Sequence, residues 1–228
     1  MHRKIARSVF IILLTALFLS GCPNQQPSST SGQNPEIPAS GGIASGDKKT
    51  DYTFTPDITT IWKCDIVQGG EGGITLEVFD PENNRIGHSQ SALSWIYMRE
   101  GITYKISMDV WTYSVGSKNS YTMTVSPVET IPGEGGEVQV DSETRYIFTP
   151  GQSGLWTFST YADNGNGEPF IWVWDIIAEE DLGNNFGGAV YHDALTVELT
   201  AGIVYSVNAA FRAYGTGSYT LDVSPGFV

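Results

Sequence analysis

The chain has 228 residues, with 25 Asp and Glu against 12 Lys and Arg, and a net charge of −13 at pH 7. That balance excludes a nucleic-acid binder, whose partner's phosphates demand a basic surface. It also opposes adhesion to anionic headgroups and suits a soluble body kept off a membrane surface.

The first residues read "MHRKIARSVFIILLTALFLSGC". Arg3, Lys4 and Arg7 precede an apolar run from Val9 to Leu19, which is the charge order and length of a secretory signal. A spanning helix needs roughly 20 apolar residues, more than this run provides. Leu19-Ser20-Gly21-Cys22 then resembles a bacterial lipobox. The resemblance implies that residues 1–21 are a lipoprotein signal peptide and that Cys22 is lipidated through its sulfur and its new amino group. Cysteine is needed there because its thiolate is the nucleophile that forms the thioether. Several acyl chains on one residue anchor stably where a single chain does not. Losing the three leader cations takes the net charge from −13 to −16. With Cys22 acylated, Cys64 has no partner, so an exported chain would carry no disulfide framework. Residues 22–40 are rich in Pro, Ser, Gln and Asn, and they read as a disordered tether. Pro23 is not the Asp that retains lipoproteins at an inner membrane, which favours the outer membrane if the host has two.

After the tether the chain repeats itself. "GGIASGDKKTDYTFTP" from Gly41 falls without a gap on "GGEVQVDSETRYIFTP" from Gly135, and Trp62 then falls on Trp156. Further on, "LEVFD" matches "IWVWD", "EGITYKI" matches "AGIVYSV", and "SYTMTVSP" matches "SYTLDVSP". Ordered blocks over about ninety residues are the mark of a duplicated domain rather than a solenoid repeat. The units are residues 41–127 and 135–228, joined by a linker at 128–134 that Pro132 stiffens.

Within unit one, in chain order, Tyr52/Phe54, Trp62/Cys64/Ile66, Leu76/Val78, Ile96/Met98, Tyr104/Ile106/Met108 and Tyr121/Met123/Val125 alternate at period two. "QGGEGG", "PENN" and "GSKN" separate them as turns. Seven or eight short strands of this kind need two packed sheets, since one sheet would leave an apolar face wet. The fold expected is all-β: two tandem β-sandwiches with jelly-roll connections.

An opening Tyr-x-Phe-Thr, an alternating strand ending in Asp and a turn, a Gly-x-x-Tyr and a closing Ser-Tyr-Thr-x-x-Val recur in both units. This pattern resembles the bacterial pre-peptidase C-terminal domain. The resemblance implies a β-sandwich accessory module, often appended to secreted enzymes or surface proteins, with binding or presentation roles and calcium in some members. No catalytic domain accompanies the modules here. Where members often carry an acidic pair, this chain reads "GHSQS" and "GNNFGG".

No catalytic residue stands out. His88 and His192 lie in different units within turn-rich stretches, and no nucleophile elbow, H-E-x-x-H or phosphate loop occurs. Cys64 takes the place of Phe158, an apolar slot, and reads as an inert buried thiol. No organic cofactor is expected. The one metal candidate is calcium, on the oxygens of Asp163, Asn166 and Glu168 in the Gly-rich loop "DNGNGEP", with Asp175 or Asn185 completing the set.

The sharpest signal is aromatic. Ile171 and Val173 match Leu76 and Val78 and face inward, so period two places Phe170, Trp172 and Trp174 outward. Their counterparts Thr75, Glu77 and Phe79 show that the sandwich does not require indoles there. In unit one, Trp95 and Tyr97 flank Ile96 where unit two has Thr196 and Glu198. Such faces stack on sugar rings or anchor partner proteins. Two readings stand side by side. One is a membrane-anchored, non-catalytic binding lipoprotein of the bacterial cell envelope that presents an open aromatic face to a glycan or surface protein. The other is a structural subunit of a surface complex whose aromatics are buried between modules. A hydrolase with an unrecognised metal-assisted site is the third and least favoured.

Overall fold

The computed structural model describes residues 34–90, 93–115, 117–165, 168–185, 192–212 and 217–226. The expected signal peptide, Cys22 and the expected tether up to residue 33 lie outside the described residues. What is described is all-β. The first half runs β1 (Glu36–Ile37), β2 (Gly42–Gly46), β3 (Thr50–Phe54), β4 (Thr60–Gln68) and β5 (Gly73–Phe79). It continues with β6 (Arg85–Ser89), β7 (Leu93–Met98), β8 (Tyr104–Trp111) and β9 (Tyr121–Pro127). The second half runs β10 (Glu129–Ile131), β11 (Gly136–Val140), β12 (Thr144–Phe148), β13 (Gly154–Gly165) and β14 (Glu168–Asp175). It ends with β15 (Glu180–Asn184), β16 (His192–Leu199), β17 (Tyr205–Arg212) and β18 (Gly217–Pro225).

Each half forms a five-stranded and a four-stranded sheet. The orders are β1-β3-β8-β5-β6 with β2-β9-β4-β7, then β10-β12-β17-β14-β15 with β11-β18-β13-β16. The two topologies are identical strand for strand. From β2 to β9 each connection crosses to the other sheet except the β5–β6 hairpin, which is jelly-roll connectivity. β1 and β10 are additions, each parallel to its neighbour β3 or β12.

Both sequence-derived borders move. Residues 22–40 as a whole are not a tether, because Ile37 sits on β1 and is 2 % exposed in the first core. Residues 128–134 are not a free linker either. Glu129–Ile131 pairs with β12, and Ile131 is fully buried in the second core. In both cases a three-residue polar context hides one aliphatic that the parallel edge pairing buries.

The cores are separate, one per half. Each is organised around the same pair across the sheets. Phe54 meets Trp62 edge-on at 4.7 Å, and Phe148 meets Trp156 at 4.9 Å. Gly41 and Gly135, both at φ 90°, close over these indoles. A Cβ there would strike the Val125 or Val223 carbonyl oxygen and lie 3.2 or 3.3 Å from the indole carbons. The Gly-x-x-Tyr block also has a structural reason. Gly101 and Gly202 turn the chain and donate to the carbonyls of Pro56 and Pro150, while the Tyr104 and Tyr205 hydroxyls accept from Arg99 and Thr200 N–H. Cys64 and Phe158 occupy the same fully buried slot, and burial pushes the Cys64 thiol up to about 12.

Trp62→Ala is expected to cost about 3–5 kcal/mol. Because the cores are separate, calorimetry should show the first module's transition moved down with the second's nearly unchanged. Cys64 gives a pH signature. The unfolded thiol ionises near 9.0 and the folded one near 12, so above pH 9 the unfolded state loses its proton first. The contribution present below pH 9 is then lost as pH climbs toward 12, at roughly 1.4 kcal/mol per pH unit. Cys64→Ala should flatten that alkaline limb in denaturant titrations.

Candidate binding cleft between the modules

Alternation along β14 buries Ile171 and Val173 completely and leaves Phe170, Trp172 and Trp174 half-buried on the outer face of the five-stranded sheet. On β7, Ile96 is buried and Trp95 and Tyr97 are half-buried on the outer face of module 1's four-stranded sheet. Ladder pairing fixes the equivalences. Ile96 pairs with Trp62 and Val197 with Trp156, so Trp95 and Tyr97 correspond to Thr196 and Glu198. These two outer faces look at each other. Together they line one cleft of about 310 Å³, with Ile61, Trp95 and Tyr97 on one wall and Arg145, Trp172 and Trp174 on the other. Ile176, Ser206 and Asn208 complete the lining.

The aromatics are therefore neither an open platform nor sealed between modules. They are half-buried walls of a cleft. Phe170 is the exception among the five expected residues. It lies two residues before Trp172 on the same face of β14 but does not line the cleft.

The walls are held in place. Trp172 Nε1–H donates to Asp181 Oδ1 at 2.8 Å, and Trp172 and Trp174 meet edge-on at 5.8 Å. Across the cleft the Arg145 guanidinium lies 4.8 Å from the Trp95 ring centre, a cation–π contact that joins the two modules. Arg145, Asn208 and Trp172 form one cross-strand row over β12, β17 and β14. Burial lowers the Arg145 pKa, with the charge of Glu143 opposing. Three buried polar atoms here have no hydrogen-bond partner among the described residues: Trp95 Nε1, Arg145 Nε and Asn208 Oδ1. A buried polar atom left so costs about 1–3 kcal/mol.

Module 1's matching face behaves differently. Its row is Asp51, Ser107 and Glu77. Ser107 Oγ donates to Asp51 at 2.7 Å, Arg85 pairs with Glu77 at 2.9 Å, and Lys105 lies 4.1 Å from the Phe79 ring centre while donating to Asn83. Each polar group in that row has a partner within its own sheet. Arg145 is thus a charge reversal of Asp51 in a gapless part of the duplication. Sequence reading missed it, although comparing twin positions outside the aromatics would have raised it.

Of the expected calcium set, the side chains of Glu168, Asp175 and Asn185 are described. Asn166 lies outside the described residues, and so does the Asp163 side chain. The "DNGNGEP" stretch is not a loop up to Gly165 but the end of β13, paired with β18 through Gly165 and Gly217. Glu168 and Asp175 stand at opposite ends of β14, roughly 23 Å apart at about 3.3 Å per residue, too far for one ion. Asp175 Oδ1 accepts from Ile177 and Ala178 N–H, and Asn185 Oδ1 from Ile171 N–H. Among the described residues no three His, Cys, Asp or Glu side chains converge. His88 sits in β6 rather than a turn, its Nδ1 3.9 Å from Glu77.

No family model matches the chain, and no curated protein matches it. Among solved structures it is similar to the CUB1-EGF-CUB2 domains of rat MASP-1, at 7 % identity and a TM-score of 0.27, covering 83 % of this chain and 99 % of that one. The corresponding human MASP-1/3 domain matches at 8 % identity and 0.27, covering 82 % and 100 %. A protein of Eubacterium rectale matches at 9 % identity and 0.27, covering 81 % and 74 %. At such scores these likenesses carry no inference about the cleft.

The six tryptophans fall into three groups. Trp62 and Trp156 should be invisible to acrylamide, while Trp95, Trp172 and Trp174 should be quenched partially and exposed Trp111 strongly. In Trp172→Ala/Trp174→Ala the partially quenched fraction should shrink; an unchanged Stern–Volmer curve would mean those indoles are sealed.

Proposed function

We infer that the protein is a non-catalytic binding lipoprotein of the bacterial cell envelope, built from two modules of the pre-peptidase C-terminal type, whose ligand enters the inter-module cleft. The observation that carries the reading is the convergence of two tryptophan-bearing clusters, whose twin positions hold no indole, on one cleft with polar atoms that find no partner among the described residues. Apolar walls with a few placed polar groups are what small-ligand sites require. Glycans fit such walls, since a sugar ring has an apolar face for an indole and hydroxyls for the polar rim. An exposed loop of a protein partner is the other class of ligand. Lipid attachment at Cys22 puts the modules at a membrane surface, the outer membrane in a host with two, with the residues before Glu36 as spacer.

The structural-subunit reading has its own support in the Arg145–Trp95 contact, which joins the modules whether or not anything binds. The two readings part in one experiment on the mature chain in detergent. A glycan array and an envelope-protein pull-down are run with the native chain, Trp95→Ala and Trp172→Ala/Trp174→Ala, alongside small-angle scattering. Loss of a defined ligand by at least about tenfold, with an unchanged scattering curve, is expected from desolvated aromatic anchors. Splayed modules with no ligand in any arm would replace the binding reading with the structural one.

A further inference from the structure

The cleft has one cation, and its setting is unusual for this chain. At −13 overall, an arginine would ordinarily find a carboxylate. Among the described residues Arg145 makes no ion pair within 4.0 Å and no hydrogen bond, and its Nε is buried. It is nonetheless held between two elements, its backbone paired in β12 and its guanidinium carbon 4.8 Å from the Trp95 ring centre. Its twin Asp51 is paired with Ser107, so the fold does not call for a cation at this position. Glu143 acts on Arg145 only at longer range; a half-buried guanidinium with no carboxylate paired to it is what a carboxylate-recognising site needs before its ligand arrives.

Size and shape narrow the ligand. A cleft of about 310 Å³ is at the small end of ligand pockets and admits about one or two sugar rings rather than a folded protein surface. Trp172 is pinned by Asp181 and stands nearly perpendicular to Trp174, so the two indoles form an apolar corner that offers a ring one face and one edge. Ser206 and Asn208 line the same wall, Asn208 directly between Arg145 and Trp172 in the ladder. A ring on the indoles thus has hydroxyl partners beside it and a cation at its edge.

We propose that the cleft takes an acidic saccharide, a sugar whose ring lies against Trp172 and Trp174 and whose carboxylate pairs with the Arg145 guanidinium. This rests on the cleft being a binding site. It adds the ligand's charge and the residue that reads it. A charge-assisted pair of this kind contributes about tenfold to a hundredfold in affinity.

The test uses the mature chain in detergent and titrates cleft fluorescence with trigalacturonate, trimannuronate and sialyllactose. Each acid is paired with its carboxyl methyl ester, and an Asp-rich hexapeptide is added as a different class. At least one acid should bind, with its ester at least about tenfold weaker. Arg145→Gln should lose the acid by the same factor and the ester by clearly less, since the Arg145–Trp95 stack also holds the walls; equal loss of both would overturn the role of the charge, and Arg145→Lys should recover part of the loss. An acid and ester of equal affinity, or an indifferent Arg145→Gln, would overturn the role of the charge; the cleft would still stand if Trp172→Ala abolished both. Binding of the hexapeptide alone would overturn the saccharide and keep the cleft. No response to any probe overturns the proposal, and the binding reading falls with it only if the array also finds no ligand that depends on Trp172 and Trp174.

Discussion

Two indoles set the spacing of both modules. Trp62 and Trp156 each stand on the four-stranded sheet, meet a phenylalanine of the five-stranded sheet edge-on, and lie directly beneath a glycine at φ 90°. The glycine has no substitute, because its conformation and the carbonyl beside it both reject a Cβ. Sheets packed at about 10 Å need a large side chain at this place and a bare backbone above it. The matched blocks "GG", "F-T-P" and Trp are therefore one mechanical unit. The remaining shared residues fill the interior that this contact opens.

With the interiors fixed, the outer faces were free to diverge, and they diverged in a directed way. Module 1's four-stranded face meets module 2's five-stranded face, a head-to-tail contact of the kind that would propagate if both faces were repeated. They are not repeated. Module 2's own four-stranded face offers Leu155, Thr196 and Glu198 in place of Ile61, Trp95 and Tyr97. Module 1's own five-stranded face offers Asp51 and Glu77 in place of Arg145 and Trp172, with its charges paired in place. The Trp95/Tyr97 and Trp172/Trp174 clusters stand where the two modules meet, and their twin positions carry no indole. The cleft between the modules follows from that asymmetry.

Much of this was legible in the sequence. Period-two alternation identified Ile171 and Val173 as interior and Trp172 and Trp174 as exterior, because a strand's side chains have only two directions available. Duplication supplied the register at Trp95 and Tyr97. The parallel edge strands were not legible, since a lone Ile37 or Ile131 among polar residues has no periodicity to read. The cleft was not legible either. It depends on the angle between modules, which no local pattern encodes, and on Ile61 and Asn208, which look ordinary in their strands. The acidic turn misled for a related reason. "DNGNGEP" has loop composition, yet pairing with β18 extends β13 through Gly165, a case of tertiary pairing overriding turn propensity.

What sets the cleft's opening is a very short piece of chain. β9 pairs with β4 as far as Pro127 opposite Trp62, and β10 begins at Glu129 opposite Tyr146. Only Val128 lies between, and its N–H donates to the Ile61 carbonyl at 3.0 Å. The chain thus leaves one sheet and enters the next within a single residue, and that residue is tied to the strand position whose side chain lines the cleft. Arg145, on the strand that Glu129–Ile131 pairs with, closes the circuit by stacking on Trp95. A connection this short, clamped at both ends, leaves the two walls little freedom to move apart. If the cleft takes a ligand as proposed, the ordering cost that a flexible linker would impose on binding is then largely absent.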